Sequence, residues 1–379
     1  MHLSVWLASQ LVLQPDNPPG NVDRGSPPWK RINRPVGRES RAILLAGIST
    51  ALCCMALKSL LSLGAAFCWL ISNQFFVDGS PTSKGFDWND VKYVYAFGDS
   101  YSFVQGTAGL ANFSFIGDAF DFSFSQTELL KNEIIPKNTS SDGSNWLEFL
   151  TGCFEGRPSD CHPHQLWDFS FAGADIDKSL LPLHHNFTVD LVGQVQQWAQ
   201  YASSVLPRTP ASATLTAWWI GINDTGDVLG HNITDFAAFW REEMASYFGA
   251  VELAYAHGLR GAYLFVNVPP EDRSPNNLGK SSAPAIAARI EEYNAALAAH
   301  VEDFAQSHPD MNVMTFDAHT WFNDILDNAQ SYGFHNTTGF CECRDPSYFW
   351  YNVGHPTEHV HRLLAQAIEA QLLSVRGTT

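Results

Sequence analysis

The sequence predicts an α/β domain built on a parallel sheet of about five strands. Short apolar runs alternate with segments of helical periodicity, no internal repeat is found, and four of the five runs end in loops rich in Gly, Asn or Asp. Such alternation is typical of βαβ units, in which helices cover a parallel sheet. Open sheets of this class bind ligands beyond the carboxyl ends of their strands, so functional side chains are expected in those loops.

The apolar runs and the helical periods place the individual elements. The strands are expected at 91–97, 166–171, 214–220, 261–267 and 312–316. The helices are expected at 190–205, 234–257, 283–307 and 357–373, of which 283–307 has the clearest 3.6-residue period. A long insertion, residues 105–165, separates the first two strands. It contains five phenylalanines, and such residues belong to a core more often than to a ligand site: Phe113, Phe115, Phe120, Phe122 and Phe124.

The chain is acidic. Its 379 residues carry a formal net charge of −17. This charge argues against a nucleic-acid partner, because affinity for nucleic acid comes mainly from Lys and Arg on phosphates. It fits a soluble extracellular monomer that like charge keeps apart from its copies.

The N-terminal segment differs in composition from the rest. Residues 1–42 are polar and rich in Pro and Gly, which predicts disorder. The apolar stretch 42–71 is long enough to span a bilayer and contains one charged residue, Lys58. It is interpreted as an uncleaved signal anchor, as a signal peptide or, least favoured, as a buried core helix.

The signal-peptide interpretation is preferred because Lys58 is natural in a basic n-region that begins at Met55. Residues 1–54 would then be a disordered or untranslated leader, 55–75 the signal peptide, and 85–379 the exported domain. The protein is expected to be secreted, and to contact a membrane only if the apolar stretch stays uncleaved.

Cysteines and glycosylation motifs agree with export. Four cysteines form two close pairs, Cys153/Cys161 and Cys341/Cys343, and an even number in an exported domain suggests disulfides. Their spacing does not match a zinc ribbon. Six N-x-S/T motifs predict a glycosylated surface, at Asn112, Asn138, Asn186, Asn223, Asn232 and Asn336.

Three motifs carry candidate chemistry. In AFGDSYS (96–102), a turn after the first strand presents the hydroxyl of Ser100 at the sheet edge. In WWIGINDTGD (218–227), Asn223 offers an amide N–H₂ that can donate to an oxyanion without ionising. In FWYNVGHPTEHVH (349–361), His355 precedes a proline and the last helix, and a neutral imidazole suits a general base.

The last motif contains three histidines that could suggest a metal site. His355, His359 and His361 lie close in sequence, but H-E-x-x-H is absent and no acidic ligand stands at helical spacing with them. The sequence therefore predicts neither a metal nor a cofactor.

In this order and placement, the motifs resemble those of the SGNH/GDSL hydrolases over residues 90–373, especially fungal secreted members such as carbohydrate esterase family sixteen. FGDSYS, FAGAD, GIND and GHPT correspond to the family's sequence blocks. The resemblance implies a three-layer, flavodoxin-like α/β/α fold. It also implies Ser100 as nucleophile, His355 as base, and an oxyanion hole formed by Ser100, Gly173 and Asn223. A glycan at Asn223 would fill that hole, so this motif is expected to stay unmodified.

The sequence departs from the family pattern at one position. The family usually has Asp three residues before the histidine, where this chain has Asn352. Three outcomes are open: a Ser–His dyad that leans on a backbone carbonyl, an acid supplied from elsewhere, such as Asp345 or Asp317, or a weak enzyme. We hypothesise a functional dyad or a substitute acid.

The expected function is an exported esterase for short acyl groups, with acetyl groups on plant cell-wall carbohydrate as the expected substrate. Two alternatives remain. One is a lipase or lysophospholipase with the same site, and the other is a catalytically weak carbohydrate-binding protein, suggested by Asn352.

Overall fold

The computed structural model describes residues 85–117, 123–206 and 210–375. A parallel sheet lies at their centre, with the strand order β2-β1-β3-β4-β5. The strands are β1 (Tyr93–Gly98), β2 (Gln165–Asp168), β3 (Thr214–Trp219), β4 (Ala262–Val266) and β5 (Asn312–Phe316). The chain runs from β1 to one neighbour and then crosses to the other side, so the strand order reverses between β1 and β3, where such sheets form their ligand crevice.

The inner strands are buried on both faces, as their apolar runs predict. Every residue of β3 is buried. On one face, Trp218 of β3 stacks between Phe97 of β1 and Phe265 of β4, with ring centroids 4.7 and 6.3 Å apart. On the other face, the neighbouring Trp219 contacts Trp146, with ring centroids 5.7 Å apart.

Helices cover both faces, which gives the three-layer α/β/α architecture. The eight α-helices of the described residues are α1 (Gln126–Lys131), α2 (Trp146–Thr151), α3 (Leu191–Gln197), α4 (Ile222–Asp227), α5 (Phe236–Ala256), α6 (Ala283–Ser307), α7 (Ala318–Asp327) and α8 (Glu358–Ser374). On the Trp218 face, α5 packs between α3 and α6, whereas α2 packs against α8 on the other face.

The five predicted strands and four predicted helices are all present, with shifted ends. The helix at 283–307 has the predicted bounds, but α3 ends at Gln197 and continues as a π-helical turn, Trp198–Ala202. The second strand ends at Asp168 rather than at 171, since Asp168 turns its carboxylate onto the backbone N–H of Ser170. Sequence periodicity missed four shorter helices and the small parallel pair β6 (Asn336–Phe340) and β7 (Tyr348–Trp350).

The insertion packs on the main core. Phe115 and Phe124 are buried, and Phe113 stacks against Phe171 at 5.9 Å. The core interpretation therefore holds for these three residues, whereas Phe120 and Phe122 lie outside the described residues. Both expected disulfides are present, Cys153–Cys161 in the insertion and Cys341–Cys343 after β6.

The interpretations of the N-terminus concern residues outside the described part of the chain. These are the leader at 1–54, the signal peptide at 55–75 and the alternative anchor at 42–71. Among the described residues, no helix combines the length and the apolar character that a membrane span requires.

One glycine at the end of β3 is required by the packing. Gly221 has φ of +111° and precedes α4. A Cβ there would lie 2.2 Å from Cζ of Tyr293, whose hydroxyl donates to the carbonyl of Ile220. Close approach and left-handed backbone both select glycine at the first position of the G-x-N-D motif.

We expect Gly221→Ala to lower the free energy of unfolding by about 3 kcal/mol or more, because overpacking and backbone strain add. Urea denaturation measures this loss. Gly226→Ala is the matched control, since a Cβ there meets no atom within 4 Å, and alanine in a helix is favoured by about 0.5–1 kcal/mol. Equal stabilities of the two variants would contradict this account of the turn.

Candidate active site

The turn after β1 holds Ser100 at the carboxyl edge of the sheet. Gln194 of α3 bonds Gly98 twice, accepting from its N–H at 3.0 Å and donating to its carbonyl at 2.8 Å. The buried carboxylate of Asp99 accepts from the backbone N–H of Tyr101 at 2.9 Å. Burial raises the pKa of Asp99 to about 8. The backbone on both sides of Ser100 is therefore fixed by hydrogen bonds.

His355 reaches Ser100 from the loop before α8. Nε2 of His355 lies 2.8 Å from Oγ of Ser100, although the two residues are 255 positions apart in the sequence. Burial lowers the pKa of His355 to about 4. The imidazole is therefore neutral at pH 7, and its Nε2 can accept the proton of the Ser100 hydroxyl.

Asn352 orients the imidazole. Its Oδ1 lies 3.0 Å from Nδ1 of His355 and also accepts the backbone N–H groups of Gly354, at 3.0 Å, and of His355, at 2.8 Å. A backbone N–H can only donate, so both of these bonds require an oxygen at this atom of the amide. Nδ1 of His355 must then carry the hydrogen, which leaves Nε2 free to accept from Ser100.

The two alternative acids lie elsewhere. Asp317 caps α7 by accepting from the backbone N–H of Thr320 and from Asn267. Asp345 is exposed and accepts from the N–H of Ser347. The structure thus places Asn352, rather than a substitute acid or a backbone carbonyl, against His355.

The expected oxyanion donors other than Ser100 come from two further segments. Gly173 follows β2 with φ of +79°, and Asn223 is the second residue of α4. Among the hydrogen bonds of the described residues, the backbone N–H groups of Ser100 and Gly173 donate to no protein acceptor. One N–H of the Asn223 amide donates to the carbonyl of Ala174 at 2.9 Å, and the other remains for a ligand. All three expected donors thus keep an N–H group that no acceptor of the described residues occupies.

Two hydrogen bonds tie these two segments together. Besides the bond from Asn223 to Ala174, Oδ1 of Asp224 accepts the backbone N–H of Ile176 at 2.9 Å. The adjacent Asn and Asp of the G-x-N-D motif thus both bond the backbone of the loop that contains Gly173. The atom of Asn223 that a glycan would occupy is the donor to Ala174.

Tyr101 joins the serine turn to the histidine loop. Its buried hydroxyl lies 2.6 Å from Oε1 of Glu271 and 2.7 Å from the carbonyl oxygen of Gly354. A hydroxyl has one hydrogen, so two acceptors at these distances require a second proton. A protonated Glu271 supplies it, donating to Tyr101 while Tyr101 donates to Gly354. Burial raises the pKa of Glu271 to about 7, in agreement with this arrangement.

The remaining histidines of the last motif do not converge with His355. Nε2 of His359 lies 3.3 Å from the carbonyl of Tyr332, whereas Nε2 of His361 lies 3.0 Å from Oγ of Ser141. Both therefore support the packing of α8. Among the described residues, His355, His359 and His361 do not form a group whose side chains could share a metal ion.

Sequence reasoning missed the residues that brace the site. Gln194 lies in none of the motifs, Tyr101 lies in AFGDSYS without an assigned role, and Glu271 is 170 positions away from Tyr101. The one available signal was the position of Tyr101 directly after the nucleophile candidate. A side chain there must point back into the protein when the serine points out.

The family described as GDSL-like lipase/acylhydrolase matches residues 94–368. The chain belongs to this family. A curated relative, an acetylesterase from Thermothelomyces thermophilus, is 30% identical over 298 residues, which is 76% of this chain and 92% of the relative. This GDSL hydrolase is therefore a carboxylic ester hydrolase.

Solved structures of GDSL-type proteins are more distant. A putative GDSL-like lipase from Parabacteroides merdae is 10% identical, with a TM-score of 0.44 over 78% of this chain and all of that one. An acetylxylan esterase from Geobacillus stearothermophilus is 13% identical, with a TM-score of 0.39 over 74% of this chain and 94% of that one.

The pKa of His355 sets the acid limb of activity. A base must be unprotonated, so a histidine with a pKa of about 4 stays competent at pH 5, where an ordinary histidine is charged. In Asn352→Asp, the nearby carboxylate raises the histidine pKa by about 1–3 units. We expect the acid limb of Asn352→Asp to move to higher pH by the same amount in a profile of kcat/KM for p-nitrophenyl acetate. We also expect kcat at pH 8 to rise by about 10–100-fold, because the imidazolium gains a counter-charge. Asn352→Ala should lose activity at every pH, and an unmoved acid limb in Asn352→Asp would contradict the assignment.

The hydrogen bonds that link Glu271, Tyr101 and Gly354 predict a decline of kcat above about pH 7. When Glu271 ionises, it takes the Tyr101 hydrogen, and the carbonyl of Gly354 loses its donor. Glu271→Gln keeps a donor to Tyr101 at every pH, so its kcat should stay flat up to pH 9. Tyr101→Phe should lower kcat about tenfold at all pH values, the rate equivalent of one lost hydrogen bond. Profiles of kcat against pH for both variants and for the unmodified enzyme test this prediction. If kcat of Glu271→Gln also declines above pH 7, the ionisation of Glu271 is not the cause of the decline.

Proposed function

We propose that this esterase is exported and removes short acyl groups, acetyl above all, from carbohydrate, using Ser100 as the nucleophile and His355 as the base. The observation that carries the catalytic assignment is the 2.8 Å contact between Oγ of Ser100 and Nε2 of His355. Export is supported by the two disulfides, which persist in oxidising compartments, and by the apolar stretch at 42–71.

The reaction proceeds in two halves. Ser100 Oγ attacks the ester carbonyl carbon while its proton passes to Nε2 of His355. The N–H groups of Ser100, Gly173 and Asn223 bind the oxyanion. The bond to the alcohol then breaks, and His355 gives its proton to the leaving oxygen. Water repeats the attack on the acyl-serine, with His355 again as base, and releases the acid and free Ser100.

Two observations favour a short acyl group over a lipid chain. The curated relative, which spans most of this chain, is an acetylesterase. The described phenylalanines of the insertion are used by the core: Phe115 and Phe124 are buried, and Phe113 stacks on Phe171 and meets Phe187 edge to face. They therefore do not line an open channel for a long acyl chain.

A panel of substrates tests this proposal. We expect p-nitrophenyl acetate to exceed the octanoate ester at least about tenfold in kcat/KM, since each unaccommodated methylene costs about 1 kcal/mol or more, and we expect acetyl release from acetylated xylo-oligosaccharides. Ser100→Ala should lose about 10⁴–10⁶-fold in kcat and all labelling by a fluorophosphonate, while the exposed Ser159→Ala serves as the folded control.

The outcomes separate the candidates. Preference for the octanoate ester would favour a lipase. Unlabelled, inactive protein in the unmodified form would favour the carbohydrate-binding alternative. An active Ser100→Ala enzyme would reject Ser100 as the nucleophile.

A further inference from the structure

A second group of polar side chains lies beside the oxyanion donors. Nε2 of His184 contacts Oδ2 of Asp227 and lies 3.9 Å from Oδ2 of Asp175. One ligand-type atom from each of these residues lies within 4.8 Å of the other two. No sequence motif marks this group, because its members come from the loop after Gly173 and from the end of α4.

Asp175 is the unusual member. Its side chain is about 1% exposed, and neither of its carboxylate oxygens has a hydrogen-bond partner among the described residues. Burial raises its pKa, and four neighbouring acids raise the pKa further: Asp224, Asp227, Asp99 and Asp190. A buried carboxylate that faces other acids and lacks donors needs a proton or a cation, because an uncompensated charge is costly to bury.

The side chains opposite Asp175 leave access for an ion. His184 and Asp227 are each about one third exposed, at 32% and 33%. The site therefore has one buried wall and one face open to solvent.

We propose that Asp175, His184 and Asp227 bind a divalent transition-metal ion of the Zn²⁺ or Mn²⁺ type. One imidazole nitrogen and two carboxylate oxygens form a mixed donor set that such ions accept, with further positions left for water. Ca²⁺ and Mg²⁺ prefer all-oxygen sites, so the imidazole disfavours them. This assignment rests on the geometry of the three side chains and is independent of the substrate.

The position of the ion gives it a bracing role. His184 packs against Gly173, where an added Cβ would lie 3.5 Å from Nδ1 of the imidazole. Asp175 is two residues after Gly173, and Asp227 is four residues after Asn223. A bound ion would cross-link the two segments that supply oxyanion donors, reinforcing the bond between Asn223 and Ala174.

Thermal unfolding and calorimetry of chelator-treated, metal-free protein test the site. We expect saturating Zn²⁺ or Mn²⁺ to raise Tm by about 5 °C with one ion bound per chain, and Ca²⁺ and Mg²⁺ to have much smaller effects. Asp227→Asn and His184→Gln, which nearly preserve side-chain size, should lose the response. His185→Ala, which removes the adjacent exposed imidazole, should keep it.

Two results would overturn the proposal. The first is a metal-free protein whose Tm responds to none of the four ions, which would leave an ion pair of His184 with Asp227 beside a protonated Asp175. The second is an equal response in His184→Gln and the unmodified protein. Circular dichroism confirms that each variant is folded before titration, and Ser100→Ala protein can be titrated alongside, so that metal binding is judged apart from esterase activity.

Discussion

One hydroxyl group joins the two halves of the catalytic centre. Tyr101 follows Ser100 directly, and its hydroxyl reaches the carbonyl of Gly354, the residue before His355. The backbone next to the nucleophile is therefore bonded to the backbone next to the base, across 253 positions of sequence. A contact of 2.8 Å between two side chains on separate loops needs such a tie, since an error of 1 Å at the reacting atoms is costly to the rate.

The amide at position 352 changes the chemistry without changing the geometry. In the protease case where Asn replaces the triad Asp, the imidazole takes the wrong tautomer and the rate falls about 10⁴-fold. Here the N–H groups of Gly354 and His355 fix the amide oxygen toward the imidazole. The correct tautomer is kept and only the negative charge is missing. Without a carboxylate beside it, His355 has a pKa that burial lowers. The imidazole is therefore a weaker base, but it stays unprotonated, and so able to act as the base, at acidic pH.

The sequence predicted the elements with strong periodicity and the residues inside motifs. The helix 283–307 was predicted with its final bounds because seven turns repeat one apolar stripe. The helices α1 and α2 are only six residues long, too short for a period. Their capping boxes, Ser125 with Glu128 and Asn145 with Glu148, were the readable signals. The partner of His355 could not be chosen from sequence, since the choice depends on which backbone N–H groups the turn directs at Asn352.

Burial raises the pKa of two acids beside the catalytic centre, Asp99 and Glu271. Asp99 and Glu271 keep their protons to about pH 8 and pH 7 in the folded chain, whereas the same groups in the unfolded chain release them near pH 4. The folded state therefore binds more protons between these values, and the stability that these groups contribute falls as the pH rises through that window. His355 has the opposite charge type, and burial keeps it neutral over the same range. Acidic pH thus preserves both the protonated Glu271 that completes the tie to Gly354 and the neutral base that this tie positions.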